Sequence, residues 1–267
     1  SLLMKAKALS VLQLTWAGAD KYTRMGELPA GMVLANASGA FGTIIAEYVL
    51  GSLVALYRAF PRYCRSQQAH IWRKYDDSGT IYGKTALVLG MGDIGANVAH
   101  RLKAFGATVL GVKRTAAAGP AADFDEAHTL DELDGLLRRA DIVVGCLPNT
   151  RETAGLLTAD RLHTLKKGAV LVNIGRGSLV KTADLVQALQ DGHLSGAALD
   201  VFETEPLPAD CPLWDMENVL LTPHIAGPSF GGNRQVEDTI WHICMDNLER
   251  YLDGKTLKNV VNLSEGY

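Results

Sequence analysis

Residues 83–112 restrict the folds open to this chain more than any other stretch. Gly83-Lys84-Thr85-Ala86-Leu87-Val88-Leu89 is short, apolar and bounded by turn signals, which predicts a buried strand. It runs directly into Gly90-Met91-Gly92-Asp93-Ile94-Gly95, a GxGxxG. Ile94, Val98, Leu102 and Phe105 then recur at helical spacing, Gly106 ends the helix, and Thr108-Val109-Leu110-Gly111-Val112 reads as a second strand. The motif alone is weak; strand, glycine turn, helix and strand give it meaning. The glycines permit a tight turn and close approach of backbone to a pyrophosphate, and the helix N-terminus offers partial positive charge. Gly90, Gly92, Asp93, Ile94 and Gly95 are therefore candidate dinucleotide contacts. Further strands at 140–146, 168–174, 195–201 and 218–222, alternating with helices, predict an α/β fold with a doubly wound parallel (Rossmann) sheet.

The end of the second strand bears on which dinucleotide is bound. An NAD site expects an acidic residue about 20 residues beyond the glycines, bonded to the ribose 2′-hydroxyl. Here the chain reads Val112-Lys113-Arg114-Thr115, with no carboxylate before Asp123. Lys113, Arg114 and the Thr115 hydroxyl suit a 2′-phosphate, so NADP(H) is expected in preference to NAD(H). A solvated basic turn is the alternative, and NAD(H) then stays open.

Three later strands each hand a reactive side chain to a following loop. Arg176 lies in Asn173-Ile174-Gly175-Arg176-Gly177, Glu205 follows Leu199-Asp200-Val201-Phe202, and His224 ends Thr222-Pro223-His224. Ligands of open α/β sheets bind outside the carboxyl ends of the strands. Histidine exchanges a proton near neutral pH, and a neighbouring carboxylate fixes its tautomer and favours its protonated form. Arginine offers a fixed fork of donors that matches a carboxylate or a polarised carbonyl. The three together suit a 2-oxo acid: Arg176 anchors and polarises it, and His224 gives a proton to the carbonyl oxygen.

With these motifs in place the sequence resembles the D-isomer-specific 2-hydroxyacid dehydrogenases. The likeness includes Ala46-Glu47-Tyr48, residues 90–95, Leu147-Pro148-Asn149 with Thr153, residues 173–177, Leu199-Asp200-Val201-Phe202 with Glu205-Pro206, and Thr222-Pro223-His224. It implies that Arg176 binds substrate, His224 is the acid/base and Glu205 orients and charges His224. It also implies that Asp200 contacts the nicotinamide end, and that Leu147, Pro148, Thr153, Ile174 and Gly227 belong to the cofactor site. Trp16-Ala17-Gly18-Ala19-Asp20 matches the family's substrate loop, in which backbone N–H groups, here of Ala17, Gly18 and Ala19, hold the substrate carboxylate. The implied organisation is a smaller, discontinuous substrate domain at 1–38 and 231–267. The dinucleotide-binding domain, with an interdomain helix, takes 39–230. Relatives carry more of the substrate domain, so roughly 45 to 55 of its residues are expected to be absent from this sequence. A homodimer contacting through 43–75 is also implied, with Trp72 reaching a partner's active site as one reading and a buried anchor as the other. The competing function is a non-catalytic, dinucleotide-sensing interaction protein of the same fold.

Composition sets limits. The chain has 267 residues, 48% hydrophobic and 21% charged, with a net charge of −3. Nothing electrostatic therefore argues for nucleic acid or an anionic membrane. The most apolar run, 44–56, is interrupted by Glu47 and too short to span a bilayer. Cys64, Cys146, Cys211 and Cys244 lack C-x-x-C spacing and read as thiols of a reducing compartment, with the cytoplasm as default. No two of the seven histidines have zinc-motif spacing, so no metal is expected. Local signals add a long helix over 43–60 stopped by Pro61, a capping box at Thr129 and Glu132, a cap at Thr182, and a final helix over 233–253. Asn36-Ala37-Ser38-Gly39 reads as a loop and hinge.

Overall fold

The computed structural model describes residues 2–6, 8–23, 28–29, 31–76, 78–115 and 122–263. The chain divides into two compact units. The larger comprises Gly42–Leu147 and Arg151–Ala226, and the smaller comprises Ser1–Phe41, Pro148–Thr150 and Gly227–Tyr267.

In the smaller unit β1 (Val11–Gln13) pairs in parallel with β2 (Val33–Ala35). Two short helices, α1 (Leu2–Lys5) and α2 (Asp20–Thr23), precede and follow β1. Leu14, Ala19, Leu34 and Val261 form its small apolar cluster. The long α9 (Arg234–Leu252) starts on Asn233, whose side chain accepts from the Val236 N–H. Its buried Asn247 donates to Gln13 Oε1 at 2.7 Å, which pins the helix to β1.

The larger unit is built on seven strands, all parallel, in the order β5-β4-β3-β6-β7-β8-β9. They are β3 (Thr85–Leu89), β4 (Thr108–Val112), β5 (Glu126–His128), β6 (Ile142–Gly145), β7 (Ala169–Asn173), β8 (Leu194–Leu199) and β9 (Val219–Leu221). The central strands β3, β6 and β7 are apolar except for Thr85 and Asn173, because helices cover both faces, as parallel sheets require. Those helices are α3 (Gly42–Tyr57), α5 (Asp93–Ala104), α6 (Leu133–Leu137), α7 (Ala159–Thr164) and α8 (Thr182–Gln190), while α4 (Phe60–Gln68) packs on α3. No single helix among the described residues is long and apolar enough to cross a membrane.

Three local expectations need correction. Pro61 does not stop a helix. The chain leaves α3 after Tyr57, turns at Ala59 in the left-handed region (φ 53°), and Pro61 sits in the first turn of α4. Proline is accommodated there because its missing N–H has no helical partner to lose. Thr182 is the first residue of α8 rather than its cap, and its N–H donates to the Glu203 carboxylate. Trp72 is no buried anchor, being 99% exposed; Asp77, at the end of its segment, lies outside the described residues. The capping box at Thr129 and Glu132 is present as read.

Candidate active site

Strand register places the candidate side chains. Val112 pairs with Leu89, Leu89 with Gly145, Gly145 with Asn173, Asn173 with Leu199, and Leu199 with Leu221. This row is the carboxyl edge of the sheet. Directly beyond it come Lys113, Gly90, Cys146, Ile174, Asp200 and Thr222. The strand order reverses between β3 and β6, which is the switch point where open α/β sheets bind ligands.

At the switch point the three glycines have different steric roles. Gly90 has φ 105°, and a Cβ there would lie 3.1 Å from the Cys146 carbonyl oxygen. A Cβ on Gly95 would overlap the Gly90 carbonyl oxygen at 1.8 Å, so only glycine lets α5 approach β3 this closely. Gly92 caps α5 without a side-chain hydrogen bond, and a Cβ there would meet nothing within 4 Å. Open space over uncapped helix N–H groups suits a pyrophosphate. Asp93 directs its carboxylate along the helix, where Oδ1 accepts from Asn97 Nδ2 at 3.2 Å. Ile94 is the next residue of α5. Desolvation pushes the Cys146 thiol up to about 12, so this cysteine is no thiolate beside the loop.

At the end of β4 the Lys113 N–H donates to the His128 carbonyl at 3.0 Å, fixing the start of the basic turn. Arg114 and Thr115 are exposed. Leu147 follows β6, and its carbonyl oxygen would meet a Cβ on Gly175 at 2.7 Å. Ile174 is buried and its N–H donates to the Gly145 carbonyl. Thr153 is buried, and its carbonyl accepts from the Leu156 N–H. Pro148 and Gly227 belong to the smaller unit.

The reactive residues stand on the neighbouring strand ends. Arg176 has extended backbone (φ −142°, ψ 143°) and precedes a short 3-10 turn, Gly177–Leu179. The fully buried Asn173 braces it: Oδ1 accepts from the Gly175 N–H at 3.3 Å and Nδ2 donates to the Arg176 carbonyl at 3.0 Å. A Cβ on Gly177 would lie 1.9 Å from the Phe202 carbonyl carbon, so the Arg176 turn and the Glu205 loop are in backbone contact. Glu205 Oε1 accepts from the Phe202 N–H at 3.0 Å, leaving Oε2 for His224 Nδ1 at 2.9 Å. A carboxylate at Nδ1 holds that nitrogen as the donor and leaves Nε2 as the exchangeable position. Both side chains stay open to solvent, His224 at 52% and Glu205 at 38%.

Asp200 is 1% exposed. Its Oδ1 accepts from Thr222 Oγ1 (2.6 Å) and the Ile225 N–H (2.8 Å), and its Oδ2 from the Ala226 N–H (2.9 Å). In the smaller unit, Ala17–Ala19 follow β1. Asn36 Nδ2 donates to the Ala17 carbonyl at 2.8 Å, and its Oδ1 accepts from the Ser38 N–H. Asn36, Asn173 and Thr222 thus brace their own segments, although in the sequence each stood only as part of a motif, with no role of its own.

A glycine loop at the switch point makes the larger unit a dinucleotide-binding domain, and the strand-end His–Glu pair makes the protein a candidate oxidoreductase. Comparison with known proteins agrees. Residues 50–226 match the model of the D-isomer specific 2-hydroxyacid dehydrogenase NAD binding domain. A family protein from Aeromonas salmonicida is 40% identical, with 98% of this chain and 81% of that one covered and a TM-score of 0.86. An NADPH-dependent glyoxylate/hydroxypyruvate reductase from Sinorhizobium meliloti, solved with NADP and sulfate, is 30% identical, with 100% and 83% covered and a TM-score of 0.87. The D-3-phosphoglycerate dehydrogenase of Mycobacterium leprae is 34% identical over 99% of this chain and 49% of that protein, so the chain spans about half that relative's length. The chain belongs to the D-isomer specific 2-hydroxyacid dehydrogenases, a family of NAD(P)-dependent enzymes.

Proposed function

We propose that this protein reduces a small 2-oxo acid to its D-2-hydroxy acid with NADPH. The observation that carries this reading is the 2.9 Å His224–Glu205 pair on a sheet edge shared with Arg176 and the glycine loop. Gly90, Gly92 and Gly95 would seat the dinucleotide against α5, and Lys113, Arg114 and Thr115 would bind its 2′-phosphate. When bound, the dinucleotide supplies hydride to the carbonyl carbon. Arg176 anchors the substrate and polarises the carbonyl through its planar fork. His224 Nε2 gives a proton to the carbonyl oxygen, and Glu205 stabilises the ring and its orientation through Nδ1. Backbone N–H groups of Ala17, Gly18 and Ala19 are assigned to the substrate carboxylate. The basic residues at the end of β4 favour NADP(H), the form present with the Sinorhizobium reductase. A homodimer is proposed on the exposed Phe60, Ile71 and Trp72 in and beyond α4, and light scattering of the purified protein tests it.

NADPH and NADH oxidation against glyoxylate, hydroxypyruvate, pyruvate and phenylpyruvate tests the main reading. Turnover with NADPH preferred supports it. Tight NADPH binding without turnover on any acid would favour the dinucleotide-sensing alternative.

A further inference from the structure

The turn that carries His224 adopts a conformation that its neighbours must enforce. His224 has φ 55°, in the left-handed region that residues bearing a Cβ rarely occupy. Such outliers persist where the surroundings over-determine them. Here Asp200 supplies the constraint at three points. Its backbone carbonyl accepts from the His224 N–H at 2.9 Å, and its carboxylate takes the next two N–H groups, of Ile225 and Ala226.

The clamp continues away from the reacting groups. Thr222 Oγ1 donates to Asp200 Oδ1 at 2.6 Å, so its lone pairs are left to accept. The group that meets them is the Tyr48 hydroxyl, 2.7 Å away on α3. Ser52, one helical turn further along and itself buried, hydrogen-bonds the same hydroxyl. Three separate elements, α3, β8 and β9, are thus joined by one line of polar side chains ending at the His224 turn.

We propose that Tyr48 is a positioning residue for His224, acting through Thr222 and Asp200. The inference rests on His224 being the acid/base and adds the device that holds it. Burial first of all, with the Asp200 charge behind it, raises the Tyr48 pKa above its usual value, so the hydroxyl keeps its proton to donate. Without that proton, Thr222 Oγ1 loses the partner that fixes its rotamer toward Asp200. The Asp200 carboxylate then has two donors where it had three, and the left-handed turn loses part of its support. His224 would spend less time against Glu205. Asp200 is assigned only to the nicotinamide end, while the glycine loop on β3 and α5 would seat the pyrophosphate, so most of the dinucleotide affinity should be kept.

A competing reading makes Tyr48 only a pin between α3 and the sheet, and the test separates the two. Tyr48→Phe, Thr222→Val and the double variant are compared with wild type in NADPH-dependent glyoxylate reduction, with thermal unfolding measured alongside. Histidine ring ¹⁵N spectra of the NADPH-loaded proteins, with the His224 signals assigned from His224→Ala, report the ring directly. Tyr48→Phe should lower kcat about three- to tenfold, the size of one lost hydrogen bond, with KM and the NADPH Kd changed less than about twofold. The double variant should be no worse than Thr222→Val alone, as expected of residues acting through one another. The His224 ring signals should move while those of the other histidines stay. Unchanged kcat and unchanged His224 signals would overturn the proposal, as would parallel losses of stability, KM and Kd. If wild type reduces none of the acids in the panel, the proposed function fails; the His224 spectrum of Tyr48→Phe still decides the clamp.

Discussion

Alanine at Gly92 and at Gly95 should have opposite consequences, although both glycines belong to one motif. At Gly95 the new Cβ would sit 1.8 Å from the Gly90 carbonyl oxygen and 3.3 Å from Val88 Cγ1. The obstruction is backbone, so α5 must move off β3, and with it the buried Val98, Ala99 and Leu102. Overpacking of this kind costs about 3 kcal/mol at the upper end. Alanine returns about 1 kcal/mol in helix propensity. The net is a loss of about 2 kcal/mol, or roughly 4–8 °C in Tm for a chain of this size. At Gly92 the Cβ meets nothing within 4 Å, and the backbone (φ −78°, ψ −164°) admits alanine. The cost there is the poorer cap, about 1 kcal/mol or less. The space the methyl fills is where the pyrophosphate is placed, so NADPH affinity should fall at least about tenfold, equivalent to about 1.4 kcal/mol. Thermal unfolding without ligand and NADPH fluorescence titration measure the two effects separately. A Gly92→Ala protein that binds NADPH as tightly as wild type would refute the placement of the dinucleotide.

Other perturbations test other parts of the site. Arg114→Ser should reduce the preference for NADPH over NADH about tenfold, since a hydrogen bond to a charged group contributes about 1.5 kcal/mol at an exposed position; the ratio of the two kcat/KM values reads it. Glu205→Gln keeps the side-chain shape but removes the charge opposite Nδ1, and should lower kcat by about 10² or more, the low end for acid/base assistance. A KM effect without a kcat effect would place Glu205 in substrate binding instead. Away from the site, Arg139 and then His128 pull the Glu126 carboxyl down from 4.5 to about 2. A folded-state pKa below the ordinary value means that the stabilisation is fully present above pH 4.5 and disappears as the pH falls toward 2. Glu126 is 39% exposed, so the effect is no more than about 1 kcal/mol. Tm against pH should fall less steeply between pH 4.5 and 2 in Glu126→Gln than in wild type.

The parts of the fold that were legible are those whose cause is local. Six strands of the large sheet were marked by apolar runs, because a strand covered on both faces needs few polar residues. The edge strand β5 (Glu126-Ala127-His128) has no such run. It exists because its backbone completes β4, with Leu110 against Glu126 and Val112 against His128, and a three-residue polar segment carries no trace of that. Pro61 was misjudged because proline fits the first turn of a helix as well as it ends one, and only Arg58 and the left-handed Ala59 separate α3 from α4. Arg176, Glu205 and His224 could be proposed because ligands of open α/β sheets bind at the strand ends. The hydrogen bonds behind them could not. Asn173 acts through a turn of its own making, while Tyr48 meets Thr222 across 174 residues of chain. Such a pairing is fixed only once α3 has packed on the sheet.

Single-turnover kinetics of His224→Ala show whether the imidazole gives the proton. NADPH is bound first and its Kd measured by fluorescence; glyoxylate is then added and loss of nicotinamide absorbance is followed. The Kd should be unchanged and the hydride-transfer rate reduced by about 10² to 10⁴, the contribution of a positioned acid. A variant that oxidises NADPH at the wild-type rate would contradict the assignment of His224. Loss of NADPH binding together with rate would make the residue a structural support for the cofactor site.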